Sequence, residues 1–105
     1  MKLYDSKVAP NPRRVRIFLA EKGIDIPLVP IDIAKHEHKT DEYLSGVNQM
    51  GQVPVLELDD GSHISETMAI CRYFEDIQPD PPLFGTDAKD RAMVEMWCRR
   101  VEFSL

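Results

Sequence analysis

Ser65, Glu66 and Thr67 form a segment whose residue types could bind a small ligand. They open a predicted helix, and the free backbone N–H groups at a helix start bind carboxylates. A neighbouring glutamate can accept an ammonium group, so the segment suits the amino-acid end of a small molecule. A purely structural interpretation is also complete, because Ser65 would cap the helix and Glu66 would favour its N-terminus.

A second candidate segment centres on Pro54, which stands at the start of an alternating apolar and polar pattern over residues 53–58. That pattern is typical of a half-buried strand. A strand-entry proline that faces the N-terminus of the chain's first helix is often cis, and the residue before it, here Val53, then presents its backbone N–H and C=O to an extended peptide ligand. A trans proline that only begins a strand is the alternative.

The chain ahead of these segments predicts a strand, a helix and another strand. Residues 2–4 and the β-rich residues 26–33 are the strand candidates. Between them, Asn11 is a good N-cap, Pro12 suits the first helical position, and Gly23 suits the residue that ends the helix. A unit of this length has parallel strands and a right-handed crossover.

Downstream, the pattern predicts two antiparallel strands and a helix. Residues 40–44 can hold at most a short helix, and the acidic-Gly turn at residues 59–61 leads from the strand over 53–58 into a short return strand at Ile64. A helix capped by Ser65 then follows. Its apolar face is predicted at Ile70, Phe74 and Ile77.

This order, βαβ followed by ββα, is the plan of a thioredoxin-like α/β domain, which we assign to residues 1–78. Residues 79–86 contain three prolines and a glycine and predict a linker. Residues 87–105 predict one further helix with a partly apolar stripe.

Composition limits the possible functions. The net charge of −5 over 105 residues argues against a general nucleic-acid binder, which needs a basic surface. No apolar run approaches the ~18 residues of a membrane span, and the N-terminus is too polar for a signal peptide, so we expect a cytoplasmic protein with no membrane partner. Cys71 and Cys98 form no ligand cluster and are interpreted as free thiols, and no metal is expected.

Several motifs together resemble the N-terminal domain of the glutathione S-transferases, most closely the bacterial-type members of the serine or asparagine kind. The resemblance covers about residues 1–77 and continues through the linker into the first helix of the family's all-α second domain. The matching stretches are Lys2-Leu3-Tyr4, Arg14-Val15-Arg16-Ile17, Lys22-Gly23-Ile24, Asn48, Gly51-Gln52-Val53-Pro54-Val55-Leu56, Asp60-Gly61 and Glu66-Thr67.

The resemblance implies that glutathione binds as a co-substrate. Val53, next to Pro54, would pair its backbone with the cysteinyl part of glutathione. Glu66 and Thr67 would hold the γ-glutamyl end. The family more often has serine where Thr67 stands, but the hydroxyl is kept.

The opposite end of glutathione carries the glycyl carboxylate, which the resemblance assigns to Gln52 and Lys39. The segment around Lys39 varies in length within the family, which makes its alignment the looser of the two. His36 and His38 lie nearby in the sequence and could substitute for Lys39.

The chain departs from the family at the first helix. Serine-type members place a hydroxyl just before this helix, where it donates to the glutathione thiolate, and that position is Ala9 here. Ser6 is a displaced substitute, whereas Tyr4 belongs to the first strand. Asn11 is the remaining catalytic candidate, because some bacterial members use the asparagine of a Thr-Pro-Asn run. A simple N-cap is the alternative for Asn11.

We therefore expect a glutathione S-transferase that activates the thiolate of glutathione for attack on a small electrophile, as in detoxification. A glutathione-dependent disulfide reductase is one alternative, motivated by Pro10-Asn11. A non-catalytic binding or assembly module is the other, motivated by Ala9 and the short chain. The resemblance also implies a homodimer that pairs through the helices matching residues 65–77 and 87–105.

Overall fold

Four short strands and four α-helices make up the structure, a computed structural model that describes residues 1–104 and the side chains of residues 1–100. Leu105, which the predicted last helix includes, lies outside the described residues. A 3-10 turn at Glu37–Lys39 precedes the second helix. The elements are β1 (Lys2–Asp5), α1 (Pro10–Lys22), β2 (Leu28–Pro30), α2 (Asp41–Gly46), β3 (Val55–Glu57), β4 (His63–Ser65), α3 (Thr67–Ile77) and α4 (Ala88–Ser104).

The strands form one mixed sheet in the order β2-β1-β3-β4. β1 runs parallel to β2 and antiparallel to β3, so that Leu3 lies opposite Leu28 on one side and Leu56 on the other. β4 pairs antiparallel with β3, with Ile64 opposite Leu56. The predicted thioredoxin-like order of elements, followed by a helical segment, is confirmed.

Two strands are shorter than predicted. β2 occupies only Leu28–Pro30 of the predicted 26–33, and Pro27, directly before it, has no N–H to donate to β1. The pairing ends with the Leu3 N–H bonded to the Pro27 carbonyl (2.9 Å) and the Ile31 N–H bonded to the Asp5 carbonyl (2.7 Å). β3 keeps only Val55–Glu57 of the predicted 53–58.

The predicted starts of two helices are wrong. α1 begins at Pro10 with Ala9 as its N-cap, so Asn11 is its second residue and does not cap it. Ser65 pairs with Val55 in the sheet, and its backbone therefore stays extended. Glu66 takes the N-cap position of α3 instead.

α1 and α3 contribute the helical side of the core. The buried face of α3 is made by Thr67, Ile70, Cys71 and Phe74, whereas Ile77 is 53 % exposed, which corrects the predicted apolar face. Ile77 falls at the edge of that stripe. The buried cluster consists of Leu3, Val15, Leu19, Leu56, Ile70, Cys71, Phe74 and Phe84.

A buried ion pair ties α1, α3 and the linker together. The Lys22 side chain is fully buried; its Nζ lies 2.5 Å from Oε1 of Glu75 and donates to the carbonyls of Gln78 (2.8 Å) and Pro81 (2.5 Å). The Glu75 carboxylate also accepts the backbone N–H groups of Leu83 (3.3 Å) and Phe84 (3.0 Å). Burial opposes ionisation of Glu75, but these hydrogen bonds outweigh it and the pKa of Glu75 is lowered.

Replacing Lys22 by methionine should therefore destabilise the fold strongly. The variant keeps the apolar stem but leaves the Glu75 carboxylate without its cation and the Gln78 and Pro81 carbonyls without their donor, a loss of about 3–5 kcal/mol for breaking a buried pair. Urea unfolding measures this loss directly. Lys35→Met, at an exposed position, is the matched control, and equal losses in the two variants would contradict the assigned role of Lys22.

Candidate functional site

A cleft of about 360 Å³ opens where α1 and α3 begin and where the loop before β3 passes them. It brings together most of the residues that the sequence analysis selected, from four separate segments. The predicted residues in its lining are Ala9, Asn11, His38, Lys39, Gln52, Val53, Pro54, Glu66 and Thr67.

Ser6 is not among the residues that line this cleft. It is only 3 % exposed, and its carbonyl accepts a hydrogen bond from Nη1 of Arg16 (3.1 Å). The structure therefore gives no support to Ser6 as a displaced hydroxyl donor.

The start of α1 offers few hydrogen-bond donors to the cleft. Pro10 and Pro12 have no N–H, so Asn11 is the one residue of the first three in α1 with a backbone donor. The Asn11 Oδ1 accepts from Nη1 of Arg14 (3.3 Å). Because a guanidinium only donates, this contact fixes which end of the amide is the oxygen and leaves Nδ2 available as a donor.

Val53 presents an open backbone to the cleft. The peptide bond between Val53 and Pro54 is cis. Neither the N–H nor the C=O of Val53 is hydrogen-bonded within the part of the chain that the structure describes, since the pairing of β3 begins only at Val55. An extended peptide can therefore pair with this residue as a short strand.

The loop before Val53 is folded around Asn48, which the sequence analysis matched to the family without assigning it a role. Its Oδ1 accepts the N–H of Met50 (3.0 Å), and its carbonyl accepts the N–H of Gly51 (2.9 Å). Its Nδ2 donates to the Gln52 carbonyl (3.1 Å), which also accepts from the hydroxyl of Tyr43 (2.6 Å).

Gly51 brings this loop against the segment that carries Lys39. Its φ of 62° lies in the left-handed region, which glycine adopts most readily, and a Cβ built on it would lie 2.9 Å from Nζ of Lys39, 2.9 Å from Leu44 and 3.0 Å from the carbonyl of His38. The requirement for glycine here was missed, because it depends on a contact between segments that are distant in the sequence.

The start of α3 supplies the other end of the cleft. The first intrahelical bond runs from the N–H of Ile70 to the carbonyl of Glu66 (3.0 Å), so the N–H groups of residues 67–69 have no acceptor within the helix. The Glu66 side chain is exposed, and its backbone has a φ of 76°, which is strained for a residue with a side chain. Ammonium and carboxylate groups of one ligand can both be satisfied here.

His38 lies at the opposite end of the cleft, beside Lys39. Its Nδ1 is buried and has no hydrogen-bond partner among the described residues, and its ring stacks on that of His36 with centroids 6.1 Å apart. A buried polar atom without a partner is costly, so a ligand that approaches this end could satisfy it.

The two cysteine thiols do not line this cleft. Cys71 is buried and Cys98 half-buried, both as free thiols, and burial, partly offset by Arg14, raises the pKa of Cys71 to about 11. Among the described side chains, those of residues 1–100, no three or more His, Cys, Asp or Glu are placed to hold a metal ion. In the same described range, no helix has the length and apolar character to cross a membrane.

Comparisons with known proteins agree on one family. The family described as "Glutathione S-transferase, N-terminal domain" matches residues 8–77. Glutathione S-transferase 2 of Saccharomyces cerevisiae is 41 % identical over the whole of this chain, which covers 46 % of that protein. The chain thus spans about half the length of the curated relatives it matches.

Solved structures resemble this chain in fold as well as in sequence. A glutathione S-transferase domain-containing protein from Marinobacter aquaeolei superimposes with a TM-score of 0.90 at 43 % identity, covering 97 % of this chain and 50 % of that one. A glutathione transferase homologue from Sulfitobacter, solved with bound glutathione, gives a TM-score of 0.88 at 28 % identity, covering 96 % and 48 % respectively.

Gly51→Ala tests the close approach in the cleft wall. We expect it to lower the free energy of unfolding by about 1–3 kcal/mol, the cost of a strained left-handed residue, with a further loss from the displaced Lys39. Gly46→Ala is the matched control, because a Cβ there meets nothing within 4 Å. Urea unfolding of both variants gives the difference, and a Gly51 variant as stable as the control would contradict the assignment.

Proposed function

Because this chain belongs to the glutathione S-transferase family, we propose that it supplies the glutathione-binding half of a glutathione transferase. The observation that supports this best is the cleft, which combines an open backbone at Val53 with acidic and cationic ends suited to a zwitterionic peptide. Residues 1–78 would be the glutathione-binding domain, residues 79–86 the linker, and residues 87–105 the first helix of an all-α domain.

Glutathione would lie across the cleft in an extended form. The backbone of Val53, ahead of Pro54, would pair with the cysteinyl residue as a strand does. At one end, Glu66 would accept the ammonium of the γ-glutamyl group, while Thr67 and the helix start would hold its carboxylate.

The glycyl carboxylate would lie at the other end of the cleft. Lys39 would provide its positive charge and Gln52 a side-chain donor. His38 would contribute its buried Nδ1, which has no hydrogen-bond partner among the described residues and thus supports a ligand contact at this end. The three groups would fix the orientation of the tripeptide, because its two ends differ in charge.

Activation of the thiol would depend on the start of α1. A free thiol titrates near pH 8.5, and each unit by which its pKa falls needs about 1.4 kcal/mol of preference for the anion. The helix terminus would supply about 0.5–2 kcal/mol, and a hydrogen bond from Nδ2 of Asn11 about 1.5–3 kcal/mol. These contributions would offset the missing hydroxyl at Ala9.

Chemistry on the second substrate would be attack of the thiolate on an electrophilic carbon, with the protein positioning the nucleophile and stabilising its charge. Glutathione-dependent disulfide reduction is a second candidate, favoured by the donor amide that Asn11 presents after Pro10. Turnover of a disulfide compared with turnover of an alkylating substrate separates the two.

Asn11→Ala tests the proposed activation. Calorimetric titration with glutathione, combined with thiolate absorbance against pH, should give a bound-thiol pKa below the free value, and the variant should raise that pKa by about one unit or more while binding persists. Lys7→Ala, at an exposed position in the loop before α1, is the control. An unchanged pKa in the Asn11 variant would remove its catalytic assignment.

The outcome for the unmodified chain tests the function itself. Absence of glutathione binding would contradict the proposed glutathione site. Binding with an unshifted thiol pKa and no turnover of either substrate would favour a non-catalytic binding module.

The protein would also assemble as a homodimer in the cytoplasm. Met93 and Trp97 on α4 are 43 % and 55 % exposed, and a partner subunit would cover such an apolar stripe. We expect sedimentation equilibrium at micromolar concentration to give twice the chain mass of 12.0 kDa. A sedimentation mass equal to that of one chain would contradict the dimer.

A further inference from the structure

We propose that Tyr43, which does not line the cleft, is a positioning residue for glutathione, because together with Asn48 it fixes the peptide unit that carries the N–H of Val53. This inference rests on the proposed function of the cleft. The two donors converge on one atom, the Gln52 carbonyl oxygen, at 2.6 Å from the Tyr43 hydroxyl and 3.1 Å from Nδ2 of Asn48. Both lone pairs of that oxygen are thereby used.

The Gln52 carbonyl and the Val53 N–H belong to the same peptide unit. A peptide unit is planar, and in its trans form the C=O and N–H point in opposite directions. Because the oxygen is held against α2 by Tyr43, the N–H of Val53 has to point away from α2. The hydrogen bonds to the Gln52 carbonyl oxygen thus set the direction of the Val53 N–H, the group that would pair with the ligand.

Tyr43 is itself held in place through both its backbone and its ring. Its backbone N–H donates to Oγ1 of Thr40, the N-cap of α2 (3.3 Å). Its ring packs edge-on against Tyr4 of β1, with centroids 6.1 Å apart, and Tyr4 donates to Oε1 of Glu57 on β3 (3.1 Å). Through Tyr43, the loop that carries Gln52 is therefore fixed relative to both α2 and the sheet.

The protonation state of Tyr43 suits this role. Its side chain is 4 % exposed, and burial, with a smaller effect of Tyr4, raises its pKa to about 12. The hydroxyl consequently remains a donor throughout the pH range in which a glutathione thiol titrates, and pH-dependent binding cannot arise from this contact.

Tyr43→Phe is the test, since it keeps the ring against Tyr4 and removes one donor. We expect the Kd for glutathione to rise about 3- to 10-fold, the usual value of one hydrogen bond, while the pKa of the bound thiol stays unchanged because Tyr43 does not touch the sulfur. Tyr73→Phe is the matched control; its ring contacts Phe74, and its hydroxyl forms no hydrogen bond within the described residues. The control should change Kd less than 2-fold.

The Asn48→Ala variant and the double variant sharpen the test. Each single variant leaves one donor on the Gln52 oxygen, so the double variant should weaken binding by more than the product of the two single effects. If the effects of the two single substitutions on the Kd simply multiply in the double variant, the shared role is wrong. It is also wrong if Tyr43→Phe lowers the free energy of unfolding but leaves the Kd for glutathione unchanged.

A readout without glutathione separates this inference from the proposed function. The amide signal of Val53 in a ¹⁵N–¹H spectrum of the free protein should shift or broaden in Tyr43→Phe and stay in place in Tyr73→Phe. If the unmodified chain fails to bind glutathione, the proposed function falls while a shifted Val53 amide still supports the positioning role. A Val53 amide unaffected in Tyr43→Phe overturns that role in either case.

Discussion

The buried ammonium of Lys22 determines how the two helices that form the cleft are arranged. It lies at the last residue of α1 and meets Glu75 close to the end of α3, while both helices begin at the cleft. Such a pair is costly to bury and is stable only when its remaining donors and acceptors are satisfied. Here the carbonyls of Gln78 and Pro81 and two linker N–H groups meet that requirement, so the helices are fixed at one end and offer free termini at the other.

The cleft is lined by residues from four separate segments, which explains what the sequence could and could not reveal. Val53, Pro54, Glu66 and Thr67 could be selected because each stands at a predicted strand or helix start, and the resemblance to the family then assigned their roles in binding. The role of Tyr43 could not be found in this way, because its hydroxyl reaches the Gln52 carbonyl from a different element. Periodicity reports which face of an element is buried and carries no information on such contacts.

Helix boundaries were the other source of error, and the causes are specific. Asn11 has the side chain of a good cap, but Pro10 already has the helical φ, so the helix begins two residues earlier than the cap preference of Asn11 predicts. Ser65 has the same preference, but its pairing with Val55 keeps it in the sheet. In both cases a neighbouring constraint on the backbone outweighed a side-chain preference worth about 1 kcal/mol.

The prolines around β2 have a consequence for the rim of the sheet. Pro27 and Ile31 face β1 through their bonds to Leu3 and Asp5, so Leu28 and Pro30 are the residues of β2 that face outwards. Of these only Leu28 has an N–H, and a foreign strand needs a continuous row of donors and acceptors to dock. The rim is therefore a poor template for fibril growth, because the backbone of β2 itself limits pairing with a foreign strand.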